Sequence, residues 1–224
     1  MPDCILRKWI CGNVASDWDS LQSKIDEKTE SWERLHSNYS ELWAIEPEPD
    51  RIEEANGIAS LKRKEAFAIY LDLANQGSII GMLMAGWYYE FGSSSAETPD
   101  YDLAAHWYIR AINQRSWLAT LAYARLSAKK GQYEDCEAVL ADGVRKGWAP
   151  AYFWLAWYRH KQSPGRQAYG EIQRLLQYAA EQGHPGAKFQ LARRMGRGKF
   201  GIRQIPHGIR LFGREVNALM AEQG

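Results

Sequence analysis

Apolar positions along the chain form short helical stripes that recur. Ala66, Ile69, Tyr70 and Leu73 stand ahead of Gly77. Ala104, Trp107, Tyr108 and Ala111 stand ahead of Arg115, and Ile172, Leu175, Leu176 and Ala179 ahead of Gly183. The spacing i, i+3, i+4, i+7 places each set on one face of an α-helix. A position occupied by Gly77, Arg115, Gly147, Gly183 and Gly224 follows each stripe, at intervals of 32 to 41 residues. Intervals of that size belong to helical-pair repeats.

The register continues beyond each of these positions. Four residues on stand Gly81, Ala119, Ala151 and Ala187, and nine residues on stand Gly86, Ala124, Ala156 and Ala192. Small residues on one side of a helix let a neighbouring helix approach closely. Each unit therefore reads as helix A, loop, helix B. The glycine ends helix B in a left-handed conformation. Pro185 is suited to begin the next helix A, where a missing N–H costs little.

The N-terminal segment has a different period. Trp18, Leu21, Ile25, Lys28, Trp32, Leu35, Tyr39 and Leu42 follow alternating steps of three and four, a heptad pattern. Ser16 or Asp17 can cap the start of this long helix, and Pro47 and Pro49 end it. Two readings stand side by side. The helix packs on the first repeat and caps the array, or it forms a dimerising or partner-binding coiled coil. Bulky Trp and Tyr at the seam favour the first. The chain thus divides into a heptad-patterned segment over 1–49, an acidic linker over 50–60 that has room for a helical turn, and a repeat domain over 61–224.

The repeat unit resembles a known family. "GWYYEFG" (86–92), "DYDLAAHWYIRAI" (100–112) and "AAEQGHPGA" (179–187) are similar to segments of the Sel1-like (Sel-one-like) repeats, relatives of the tetratricopeptide repeats. The likeness covers 61–224. It is weaker at "YEDCEAVLADGV", which lacks the Trp-Tyr pair, and at "GRQAYGEIQRLL", which lacks the Asp. The resemblance implies an all-α fold, a right-handed α-α superhelical solenoid of helix-turn-helix repeats whose helices A line a concave face. It also implies work as a scaffold or adaptor for other proteins.

Composition narrows the class. The 224 residues are 46% hydrophobic and carry a net charge of +1, enough for a core and too balanced for a global field toward nucleic acid or membrane. Cys4, Cys11 and Cys136 form neither a disulfide framework nor a zinc pattern, which points to a reducing compartment. No secretory leader is legible at 1–14, and the charge-free run 73–89 is too short to span a bilayer, so the expectation is a cytoplasmic protein. The balance hides a segregation. Residues 17–54 carry twelve acidic and four basic side chains, whereas 188–214 carries eight basic and no acidic ones. Pairing of the two ends, an acidic or anionic partner, and a solvated face are the three readings of it.

Catalytic chemistry is not legible. "MGRGKFG" (195–201) has glycines and a lysine but not the spacing of a phosphate loop, and reads as the turn between helices A and B of the last unit. His36, His106, His160, His184 and His207 form no metal pair, with His106 and His184 read as structural and His160 as a groove candidate. Cys136 reads as a buried, inert thiol. We therefore expect a non-enzymatic protein without cofactor or metal, acting as a protein-binding scaffold. Regulatory or immunity-type inhibition and service as a glycan-handling accessory subunit are the alternatives. The groove candidates are Trp87, Tyr88, Tyr123, Arg125, Trp154, Tyr158, His160 and Arg194. The basic patch comprises Arg193, Arg197, Lys199, Arg203, Arg210 and Arg214. The expected partner is a protein, with an acidic one favoured by that patch, and no nucleic acid is expected. Self-association is expected through the N-terminal helix or the last repeat, and partner docking through the latter, where Val216, Leu219 and Met220 are either an exposed apolar flank or covered by something.

Overall fold

The computed structural model describes residues 15–92, 98–163, 165 and 168–221, with side chains from 21 onward except 219 and 220. Cys4, Cys11, the side chain of Trp18, those of Leu219 and Met220, the leader reading at 1–14 and Gly224 lie outside the described residues. Within them the chain is helical: α1 (Ala15–Leu35), α2 (Tyr39–Ala44), α3 (Pro49–Ile58), α4 (Arg63–Asn75), α5 (Ile79–Glu90), α6 (Tyr101–Asn113), α7 (Trp117–Lys129), α8 (Tyr133–Arg145), α9 (Ala149–Gln162), α10 (Tyr169–Glu181), α11 (Pro185–Gly196) and α12 (Ile205–Ala221), with a 3₁₀ turn at Ile202–Gln204. No strand occurs among the described residues.

The repeat junctions follow from the glycine positions. Gly77, Gly147 and Gly183 have φ of 103°, 73° and 97°, and Arg115 takes the same left-handed conformation at 66°. Each lets the next N–H turn back onto the helix just finished: Ser78 to Leu73 O at 3.0 Å, Ser116 to Ala111 O at 3.0 Å, Trp148 to Gly143 O at 2.9 Å and His184 to Ala179 O at 3.0 Å. This six-to-one bond is the Schellman closure. At three junctions the residue that follows then caps the new helix. Ser78 Oγ accepts from Gly81 N at 2.8 Å, Ser116 Oγ from Ala119 N at 3.2 Å and His184 Nδ1 from Ala187 N at 3.1 Å. Two consecutive residues thus end one helix and start the next.

Two compact units result, Arg34–Asp142 and Met1–Glu33 with Gly143–Gly224. In the first, α3 packs on α4, α4 on α5, α5 on α6 and α6 on α7. The small residues work as close-approach points. A Cβ on Gly86 would sit 2.5 Å from the Tyr108 ring, and one on Gly81 would sit 2.8 Å from Ala74 N. The segment 50–60, expected as a linker, holds α3. Its Ile52 and Ala55 are fully buried, and Asn56 Oδ1 accepts from Tyr70 OH at 2.6 Å. Four acidic or proline residues, Pro49, Asp50, Glu53 and Glu54, disguise a helix whose inner face buries only Ile52 and Ala55. The heptad helix also stops earlier than its pattern. It ends at Leu35, and Asn38 leaves the helix to grip the Arg115 turn, donating to Arg115 O at 2.6 Å and accepting from Trp117 N at 3.1 Å. A left-handed turn without glycine is held by a side-chain amide.

In the second unit α9 packs on α10, α10 on α11 and α11 on α12. The expectation that the N-terminal helix covers the first repeat is corrected here for α1. Its Ile25 is buried with Phe189, Ala192, Phe212 and Val216, residues of the last repeat. Of the two readings for Val216, an exposed flank or a covered one, the second holds: it is 4% exposed. The heptad pattern states that this helix has an apolar face but not which surface receives it.

Candidate protein-binding face

Helices α9 and α11 open two successive units of the second compact body, and α1 lies against them. The contact centres on Glu33, which is 7% exposed. Its Oε1 accepts from Trp154 Nε1 at 2.8 Å and lies 3.0 Å from His184 Nε2. The capping role of His184 fixes its tautomer. Nδ1 accepts a backbone N–H, so the ring hydrogen is on Nε2, which donates to Glu33. The same imidazole lies between aromatic rings, stacked on Phe153 at 4.4 Å and tilted against Trp32 at 5.1 Å. One turn back along α1, Thr29 Oγ1 is 3.0 Å from where a Cβ of Gly186 would stand. Glycine at that position admits the helix. The face therefore holds α1 through aromatic walls and two N–H donors aimed at one carboxylate.

The Arg34–Asp142 unit carries an aromatic and cationic surface of its own. Half-buried Trp87 packs against Phe91 and lies under the Arg63 guanidinium at 5.5 Å. Phe91 is 46% exposed, with Arg125 5.5 Å and Lys129 5.9 Å from its ring centre. Beneath it lies Glu90, 1% exposed, which accepts from Tyr108 OH at 2.8 Å and from Arg125 Nη2 at 2.7 Å and Nε at 3.2 Å. Burial, and then the Glu90 carboxylate, push the Tyr108 phenol well above its usual range. Arg125 is thus tied at one edge to a buried carboxylate.

The other candidates divide by depth. Tyr88 and Tyr158 are 1% and 2% exposed and belong to the core. Tyr123 is half-buried against the cluster of Leu42, Met82 and Leu126. His160 and Arg194 are half-buried on α9 and α11. Of the basic residues, Arg193 is half-buried on α11, its guanidinium pushed down to about 10 by burial and then by Arg197 and Arg194. Arg197, Lys199, Arg203, Arg210 and Arg214 are exposed, and Arg214 pairs with Glu215 at 3.2 Å. Glu33, Trp32 and the capping role of His184 were not anticipated as parts of a face. Trp32 stands on the heptad seam and His184 follows a repeat glycine, but no local signal joins them.

Among the described residues no group of three or more His, Cys, Asp and Glu side chains could hold a metal ion. No described helix is long and apolar enough to cross a membrane.

No family model matches the sequence, and no curated protein matches it. Solved structures do. A Sel1 repeat protein from Oxalobacter formigenes aligns with a TM-score of 0.58 at 17% identity, over 74% of this chain and 69% of its own. A protective antigen present in uropathogenic Escherichia coli strains, displaying an SLR fold, aligns with a TM-score of 0.55 at 19% identity, over 79% of this chain and 38% of its own. At such identities the likeness concerns the fold. Together with the repeated glycine-and-cap junctions, it establishes that the chain has the all-α Sel1-like repeat fold.

Proposed function

We propose that the protein is a non-catalytic, protein-binding scaffold whose α9–α11 face takes an amphipathic helix bearing a carboxylate. The observation that carries this reading is the seating of Glu33 on Trp154 Nε1 and His184 Nε2 at 2.8 and 3.0 Å. Helix α1 is then the ligand of the face in cis, and a partner helix of the same pattern competes with it. Helix-in-groove recognition uses this combination of anchors at helical spacing and one buried polar contact. The Trp87, Phe91 and Arg125 surface supplies a second contact region, suited to acidic segments because its cations lie over exposed ring faces.

The test is a titration of full-length protein with a fluorescent peptide of residues 15–35. In the native chain the tethered helix holds the face at high effective concentration and excludes the peptide. In Glu33→Ala the tethered helix is weakened, and the native-sequence peptide binds about tenfold or more tightly than to the native chain. A peptide with Glu33→Ala binds about tenfold more weakly than the native peptide. Absence of saturable peptide binding to the Glu33→Ala protein rejects this reading.

A further inference from the structure

A second feature of the Gly143–Gly224 region is independent of helix α1. Arg194 of α11 is half-buried, and its Nε has no hydrogen-bond partner. His160, in the last turn of α9, is half-buried with an unpartnered Nδ1. Neither side chain meets a carboxylate among the described residues. Lys199 is close by. Its Nζ donates to Tyr169 OH at 3.2 Å and stands 5.5 Å from the centre of that ring. Lys161 lies 5.1 Å over Trp157. The α10 carboxylate Glu171 is occupied by Arg159. Burial first, then Arg194, Lys161 and Lys199, hold the His160 imidazole below its usual range. Burial likewise lowers Arg194.

A guanidinium Nε–H withdrawn from water without an acceptor is costly, and neighbouring cations add to the cost. An anion offsets both. The charge of the cluster selects the kind of anion. Three or four cations exceed what one carboxylate neutralises, whereas a phosphate monoester brings nearly two negative charges and three acceptor oxygens. The donors are also mixed in the way a tetrahedral oxyanion accepts: a planar fork, an ammonium and an imidazole N–H.

We propose that His160, Arg194 and Lys199 form a binding site for a phosphate group, with Lys161 adding charge at its edge. The phosphate can be free or carried on a phosphorylated side chain of a protein partner, and the site reads the same atoms in either.

The experiment follows the His160 ring by NMR in the full-length protein, with its resonances assigned through His160→Gln. Inorganic phosphate and a phosphoserine peptide are titrated in turn, at constant ionic strength against chloride. The expected result is saturable binding with a rise of the His160 titration midpoint by about one pH unit, because the bound anion favours the imidazolium. Arg194→Gln weakens binding about tenfold or more. Lys199→Gln, an exposed position that leaves the fold intact, weakens it in the same sense. Arg210→Gln, elsewhere in the basic segment, leaves it unchanged. Tighter binding of the phosphopeptide assigns the site to phosphorylated side chains, and equal binding assigns it to free phosphate. The proposal is overturned if His160 shows no saturable response, or if Arg210→Gln reduces the response as much as Arg194→Gln.

Discussion

Glu33 Oε1 lies 3.0 Å from Nε2 of His184, a residue 151 positions later in the chain. His184 is fully buried and starts α11 by accepting a backbone N–H at its other ring nitrogen. A repeat junction and the N-terminal helix therefore depend on a single imidazole, and its neutral form serves both.

Removal of the carboxylate strands two donors. Glu33→Ala leaves Trp154 Nε1 and His184 Nε2 without an acceptor, at about 1–3 kcal/mol for each donor that water cannot reach. Glu33→Gln keeps a carbonyl oxygen and loses less. Urea unfolding of the two variants checks the order, with the Ala variant the less stable.

His184→Asn and His184→Ala separate the two duties of the ring. Asn retains an oxygen for Ala187 N but cannot reach Glu33, and it loses the stack on Phe153. Ala loses the cap as well. The difference between the variants is about 1 kcal/mol, the usual value of an N-cap. Thermal or urea denaturation of both, against the native chain, measures it.

Glycines inside helices respond to Ala in opposite directions according to space. Gly86→Ala places a methyl 2.5 Å from the Tyr108 ring and forces apart the α5–α6 contact, at about 1–3 kcal/mol. Gly213, inside α12, has nothing within 4 Å of an added Cβ, and Gly213→Ala stabilises by about 0.5–1 kcal/mol through helix propensity. A gain in unfolding midpoint for Gly86→Ala contradicts the crossing described.

Cys136 is fully buried, its thiol donates to Ala124 O at 3.1 Å, and burial pushes it up to about 11. With Cys4 and Cys11 replaced by Ser, it resists thiol reagents at about pH 8 and reacts at once in denaturing urea. Rapid labelling of the native chain is the contrary outcome.

The His160 shift gives stability a pH dependence of known sign. Its folded value lies below the unfolded one, because burial, Arg194, Lys161 and Lys199 all oppose the charged form. The unfolded chain then binds the proton more readily. This contribution is complete above the unfolded value, near pH 6.5, and declines as pH falls toward the folded one. His160→Gln removes that component. The difference between the native and variant unfolding midpoints, followed from neutral to mildly acidic pH, measures it.

The backbone of the repeats was legible because its signals are local. Gly77, Gly147 and Gly183 occupy positions where a side chain is penalised, and the register carried the inference to Arg115 despite its side chain. The stripes at Ala104, Trp107, Tyr108 and Ala111 gave the buried face residue by residue, and all four are buried. Adjacent aromatics were less informative. In Trp87-Tyr88 and Trp157-Tyr158 one ring points inward and its neighbour stays half-buried, a choice set by the helix phase rather than by ring chemistry. The placement of α1 was illegible for a stronger reason. Ile25 declares an apolar face, but the partners of Glu33 are a tryptophan and a histidine more than a hundred positions away. No periodicity connects them, and the pairing exists only once the repeats have formed.

Hydrogen–deuterium exchange over residues 21–33 tests most directly whether α1 occupies the α9–α11 face. In the native chain these amides are protected comparably to α9 and α11, and Glu33→Ala releases them while α9 and α11 remain protected. Rapid exchange of 21–33 in the native chain, unchanged by Glu33→Ala, contradicts that placement.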